Sequence, residues 1–275
     1  LKMATAAAIA SSTTPGGLAV TSPSAAEITA LDALALSSAL KSRRLSCREV
    51  MTAYLDRIEQ NNARFTAIVS MTDRDSLMEQ AALADLDLDQ GHYRGWMHGF
   101  PMAIKDLANA RGFVTSKGSP LYAKSAAQKD DDIHVARMKA AGGIVVGKTN
   151  VPEFGLGSQT YNPVFGTTKC AWDGVSTAGG SSGGAAASLA LQMQPVADGS
   201  DLMGSLRNPA AFNNVIGFRP TPGRVPIHDL FIEDLPCNGP MGRTVSDTAM
   251  LLSTQAGYHA AAPTTIPEDP ALFAQ

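Results

Sequence analysis

Cysteine is scarce: Cys47, Cys170 and Cys237 are scattered through 275 residues, with no Cys-x-x-Cys pair and no histidine at ligand spacing. That excludes a disulfide scaffold and a zinc site, and it points to a reducing compartment, the cytoplasm. No apolar window approaches the length of a membrane-spanning helix, so no membrane partner is expected. One-signed charge is missing too. The formal net charge is −3, the longest acidic run is Asp130-Asp131-Asp132, and nothing offers a nucleic acid an electrostatic footing. That short run reads as a helix start.

The common catalytic templates are equally absent. There is no His-Glu-x-x-His, and the glycine-rich loop at 179–184 does not end in the Gly-Lys-Ser/Thr of a P-loop. Five histidines are present, but His134 falls in a helical pattern, His92, His98 and His259 in polar loops, and His228 beside a proline turn. None has the setting of a triad base.

What the chain does have is glycine framing serine: Gly179-Gly180-Ser181-Ser182-Gly183-Gly184, ahead of a small-residue helical run from Ala185 to Gln192. A glycine-rich loop feeding a helix presents unpaired backbone N–H groups. Upstream, residues 1–23 are rich in Ala, Ser, Thr and Gly and nearly uncharged. They read as a disordered leader or the remnant of a targeting segment, without both the basic and the apolar parts of a signal peptide. Residues 24–275 form one domain. Ser24-x-x-Glu27 and Ser46-x-x-Glu49 are capping boxes that open a helix over 25–41 and another after Ser46, with Val50, Tyr54, Leu55 and Ile58 as the buried stripe of the second.

A short strand at 67–71, a helix over 73–86, a strand at 100–104, a helix over 132–141 and a strand at 144–147 follow. Strand, helix, strand in that order implies a parallel pair in an α/β domain. A strand at 195–197, another at 217–220 and a helix over 244–255 complete the pattern. Lys105 stands at the C-terminal end of a buried strand, where lysine is unusual. A buried ion pair with an aspartate and a neutral lysine acting as a base both account for it.

Gly180-Ser181-Ser182-Gly183-Gly184, then Asp201, Gly204-Ser205 and Arg207, with Ala103-Ile104-Lys105-Asp106 upstream, resembles the amidase signature family. His98-Gly99-Phe100-Pro101, Gly147-Lys148-Thr149-Asn150 and Asn162-Pro163 extend the likeness over about 24–257. The resemblance implies a mixed β-sheet core covered by helices and hydrolysis of a carboxylic amide to acid and amine or ammonia through an acyl-enzyme. It implies no cofactor, no metal, and a small-molecule amide as substrate; a homodimer is compatible with it.

By the same resemblance Ser205 is the nucleophile, Ser181 a relay serine preceded by a cis peptide, Lys105 the base, and Ser182 a partner of the lysine or simply a helix cap. The backbone amides of Leu202, Met203, Gly204 and Ser205 form the oxyanion hole, with Asp201 and Arg207 bracing that loop. The family more often has Thr-Gly-Gly-Ser where this chain has Leu202-Met203-Gly204-Ser205, which puts the loop shape in question. Family members are much longer, so the chain is expected to be C-terminally incomplete. Two other readings stay open: the glutamine-hydrolysing subunit of a tRNA-dependent amidotransferase, and a non-catalytic module whose glycine loop holds an anion.

Overall fold

Two capping devices explain how the N-terminal helices begin, and a third explains why the first is short. The computed structural model describes residues 23–228 and 235–274; the leader expected over 1–23 lies, except for Pro23, outside the described residues. In α1 (Ala25–Ala30) Glu27 N–H donates to Ser24 Oγ at 3.3 Å, and Ser24 N–H donates to Glu27 Oε2 at 2.7 Å. The helix expected over 25–41 is in fact two helices. Leu31 leaves helical geometry at φ −55°, ψ 139°, and Asp32 starts α2 (Ala33–Lys41) by accepting Ala35 N–H at 2.7 Å. The interruption is two residues long, and α2 buries Ala33, Leu36 and Leu40 rather than Leu34 and Ala35, so periodicity alone misses the break.

The second capping box, Ser46 with Glu49, opens α3 (Cys47–Phe65), and Val50, Tyr54, Leu55 and Ile58 are buried along it. After β1 (Ile68–Val69) and α4 (Arg74–Asp89), β2 (Pro101–Lys105), α5 (Ile133–Ala140) and β3 (Ile144–Thr149) make the strand-helix-strand unit. β2 and β3 are parallel, pairing from Pro101 with Ile144 to Lys105 with Thr149, and β1 lies antiparallel on the far side of β3. Asp132 sits at the cap position of α5 but makes no capping bond. Instead Asp132 accepts Asn109 N–H at 3.0 Å, while Asp131 accepts Arg111 N–H and the Lys139 ammonium. The acidic run thus starts the helix in position only; its side chains hold the loop that leaves β2.

A small hairpin, β4 (Tyr161–Asn162) and β5 (Gly166–Thr167), precedes α6 (Gly183–Ala190). Then come β6 (Val196–Asp201), α7 (Arg207–Asn213), β7 (Ile216–Gly217), β8 (Cys237–Gly242) and α8 (Val245–Gln255), the last capped by Thr244 Oγ1 on Asp247 N–H at 3.1 Å. β8 has no counterpart in the sequence reading. Cys-Asn-Gly-Pro-Met-Gly has no β-branched residue, and it is a strand because it pairs with β6 along its length, from Gly242 with Val196 to Cys237 with Asp201.

The two three-stranded sheets, β1-β3-β2 and β6-β8-β7, meet along a seam stitched by side chains. Ala103 N–H donates to Gln194 Oε1 at 2.8 Å and Lys105 N–H to Asp198 Oδ1 at 2.9 Å. The main core lies under this seam, with Leu36, Leu40, Met51, Tyr54, Met102 and Ile104 buried together. Gln194→Leu leaves the Ala103 N–H without its acceptor in a dry seam and should destabilise the protein by about 1–3 kcal/mol. Urea unfolding of parent and variant measures it, and an unchanged midpoint would show that the seam does not depend on this bond.

Candidate active site

Lys105 ends β2 on the side of the sheet that faces the start of α6 and the end of β6. Its side chain is 1% exposed. Nζ lies 2.9 Å from Ser181 Oγ, 2.7 Å from Ser182 Oγ, 2.9 Å from Ser200 Oγ and 3.3 Å from the Ser200 carbonyl oxygen. No carboxylate pairs with it among the described residues; the neighbouring Asp106 pairs with Lys148 instead, at 3.6 Å. The ion-pair explanation of Lys105 is therefore replaced by a nest of hydroxyls. Burial strips the ammonium of water and pulls the lysine down to about 7, with the charges of Asp198, Asp201 and Cys237 opposing the shift.

The peptide Gly180–Ser181 is cis. Ser182 stands at the cap position of α6 yet makes no capping bond, because its Oγ is spent on Lys105. Three amides at this helix start are also engaged. Ser182 N–H donates to the Ser205 carbonyl at 3.1 Å, Gly183 N–H to Thr160 Oγ1 at 3.2 Å, and Gly184 N–H to the Asn150 carbonyl at 3.1 Å. A Cβ on Gly184 would lie 2.3 Å from Asn150 N and 2.6 Å from Ala67 O, so glycine here serves close backbone approach. With these three amides engaged, the start of α6 offers an anion fewer donors than the glycine pattern suggests.

Ser205 lies on the loop between β6 and α7, half-buried, joined to the serine pair through its carbonyl; its hydroxyl makes no hydrogen bond among the described residues. Asp201 organises that loop. Its carboxylate accepts Gly204 N–H at 2.7 Å and Leu206 N–H at 3.2 Å, takes Arg207 in a two-point contact at 2.9 and 3.0 Å, and meets Arg219 at 3.2 Å. Burial works against the charge of Asp201, but the Arg207 hydrogen bond and the Gly204 and Leu206 amides outweigh it and hold the carboxyl at about 2.

Gly204 therefore departs from its expected role: its N–H is bound to Asp201, and the amides of Leu202, Met203 and Ser205 are the ones without a partner among the described residues. The loop shape questioned from the sequence resolves simply. Positive φ falls on Gly204, at 120°, and on neither Leu202 nor Met203. Both of those side chains point outward, Met203 being 84% exposed.

Three neighbours of the lysine escaped the sequence reading. Ser200 supplies two of the contacts to Nζ, Asp198 accepts the Lys105 backbone N–H, and His134 Nε2 lies 3.2 Å from Asp198 Oδ2. Asp198 and Ser200 are two apart on β6 and share a face, the only signal available before the strand was known to reach Asp201. Cys170 is a buried bystander bonded to the Phe212 carbonyl. No group of three His, Cys, Asp or Glu side chains that could hold a metal occurs among the described residues, and no helix there is long and apolar enough to cross a membrane.

The amidase family model matches residues 49–274. A glutamyl-tRNA(Gln) amidotransferase subunit from Alkaliphilus metalliredigens is 38% identical over 230 residues, which is 83% of this chain and 46% of that protein. The corresponding protein of Burkholderia lata is 40% identical over 225 residues, 81% of this chain and 45% of that one. Among solved structures, a bacterial aryl acylamidase of the amidase signature family aligns with TM-score 0.78 and 32% identity, over 91% of this chain and 51% of that one. Peptide amidase from Stenotrophomonas maltophilia aligns with TM-score 0.76 and 30% identity, over 86% and 50%. The chain belongs to the amidase signature family and has its mixed α/β fold. It spans about half the length of the relatives it matches.

A lysine held near 7 by burial leaves a signature in stability. The unfolded chain carries a proton on Lys105 up to about pH 10.5, whereas the folded protein releases it above about 7. The penalty is therefore full below pH 7 and is relieved as pH rises. Relative to Lys105→Met, the parent should gain about 1.4 kcal/mol of stability per pH unit between 7 and 10. Denaturant unfolding across that range measures the difference; a constant difference would place the lysine's titration outside the window.

Proposed function

We propose that the protein is an amidase that hydrolyses a carboxylic amide through Ser205, Ser181 and Lys105. The observation that carries this reading is Lys105 itself, buried without a carboxylate, held near 7, and in hydrogen-bond contact with Ser181. Ser205 Oγ attacks the amide carbonyl carbon, its proton passes to Ser181 Oγ, and the proton of Ser181 passes to Lys105 Nζ. The oxyanion that forms is met by the amides of Leu202, Met203 and Ser205. The relay then runs backwards to protonate the leaving nitrogen, the carbon–nitrogen bond breaks, and water releases the acid from the acyl-enzyme. Ser182 and Ser200 hold Nζ so that its lone pair faces Ser181.

A second reading is favoured by the names of relatives at 37–40% identity, which are glutamyl-tRNA(Gln) amidotransferase subunits. On that reading the amide is glutamine and a partner protein receives the ammonia. The chemistry at Ser205 is the same in both, and hydrolysis of glutamine in preference to aryl, aliphatic and peptide amides, with co-purification of a partner, separates them.

A fluorophosphonate probe should label Ser205 in the parent. Ser205→Ala should abolish labelling and lower turnover on the order of 10³-fold or more, and Lys105→Ala should slow both strongly at neutral pH. Peptide mapping of the labelled protein reads the site. Near-parental labelling of either variant would sink the relay.

A further inference from the structure

The relay accounts for three hydroxyls around Lys105 but not for the polar chain behind it. Asp198, in β6, is 1% exposed, and so is His134 of α5. One carboxylate oxygen of Asp198 accepts the backbone N–H of Lys105 at 2.9 Å, and the other lies 3.2 Å from His134 Nε2. A carboxylate only accepts, so Nε2 donates to it, and Asn238 Nδ2 of β8 lies 3.3 Å from Nδ1 on the other side of the ring. Three elements thus send one side chain each into a chain that ends on the backbone of the lysine. Burying a carboxylate and an imidazole together is expensive unless each is hydrogen-bonded, and here each is.

We propose that Asp198 is a positioning residue for Lys105, oriented by His134 and Asn238, and that this chain fixes both the place of the amine and its electrostatic surroundings. The inference rests on Lys105 acting as the base of the relay. Asp198 acts in two ways. As an acceptor it stands where a neighbouring strand would otherwise supply a carbonyl, fixing the end of β2 and with it the height of Nζ against Ser181. As a charge it is the first of the groups that counter the desolvation of Lys105, ahead of Asp201 on β6 and Cys237 on β8.

Lys148 on β3, paired with Asp106, lies within charge range of Asp198 and of Asp132 at the start of α5, and Asp201 is itself paired with Arg207 and Arg219. Burial lowers the basicity of the amine. The nearby carboxylate restores part of that basicity without touching Nζ, so it does not lock the amine in the protonated form.

The test follows the rate of Ser205 labelling by a fluorophosphonate against pH in the full chain. Asp198→Asn keeps an oxygen for the Lys105 N–H and removes the charge. Its acid limb should move to lower pH by about half a unit or more. His134→Gln restores an amide donor facing Asp198 and should keep the parental rate within about twofold, whereas His134→Leu leaves the carboxylate oxygen unpaired and should slow labelling about tenfold or more.

A folded Asp198→Asn protein with the parental acid limb would overturn the proposal. So would His134→Leu at the parental rate, which decides the matter if the asparagine variant does not fold. Absence of labelling at Ser205 in the parent would instead remove the reading of the relay itself.

Discussion

The burial of one amine among hydroxyls, with no carboxylate in contact, is the constraint on which the rest of the site depends. An ammonium at Lys105 would be out of reach of water and of any paired anion, so burial brings the neutral amine within reach near pH 7. A neutral amine has two donors and a lone pair. Three hydroxyls, of Ser181, Ser182 and Ser200, lie within 2.9 Å of it; in the proposed relay Ser182 and Ser200 take the donors and Ser181 faces the lone pair. The glycine loop, the end of β6 and the seam between the sheets can each be understood as what is needed to bring those hydroxyls there.

The contrast with Lys148, on the adjacent strand β3, shows how finely the surroundings decide the outcome. Both lysines are fully buried, and burial pushes both downward. Lys148, however, lies 3.6 Å from Asp106 and donates to the Ala108 carbonyl at 2.6 Å, the usual arrangement of a structural pair. Asp106 in turn accepts the Ser116 hydroxyl, so that pair is enclosed and satisfied. One residue along β2, the carboxylate is withheld from the side chain and given to the backbone, as Asp198. Asp201 is used differently again, spent on two amides and two arginines so that the loop bearing Ser205 has a fixed shape. Three buried aspartates within reach of one site thus do three separate jobs.

Much of this was legible beforehand, and the part that was not has physical causes. Capping boxes at Ser24 and Ser46, the parallel pair around α5 and the cap at Thr244 follow from local hydrogen bonding and periodicity, which the sequence carries directly. The break at Leu31 was hidden because only Leu31 and Asp32 interrupt the helical run, and Asp32 caps the next helix at once. Strand β8 and the far half of β6 were hidden because Asp-Gly-Ser-Asp and Cys-Asn-Gly-Pro-Met-Gly have little intrinsic strand preference and are strands by pairing with each other.

The same cause hid Asp198, Ser200 and His134, which meet only once β6 and α5 are in place. Ser181, Ser182, Ser205 and Lys105 stood out by resemblance to a family. Geometry adds that Ser182 faces the lysine rather than its helix, and that Gly204 gives its N–H to Asp201.

The central claim is that Lys105 gives up its proton near neutral pH, far below the range of ordinary lysines, and it can be measured without any substrate. Nuclear magnetic resonance of the protein with isotope-labelled lysine side chains, with Lys105→Met used to assign the signal, follows the titration of this one group. The account calls for a midpoint near pH 7, well separated from the other lysines. A midpoint near 10.5, within the range of ordinary lysines, would contradict it.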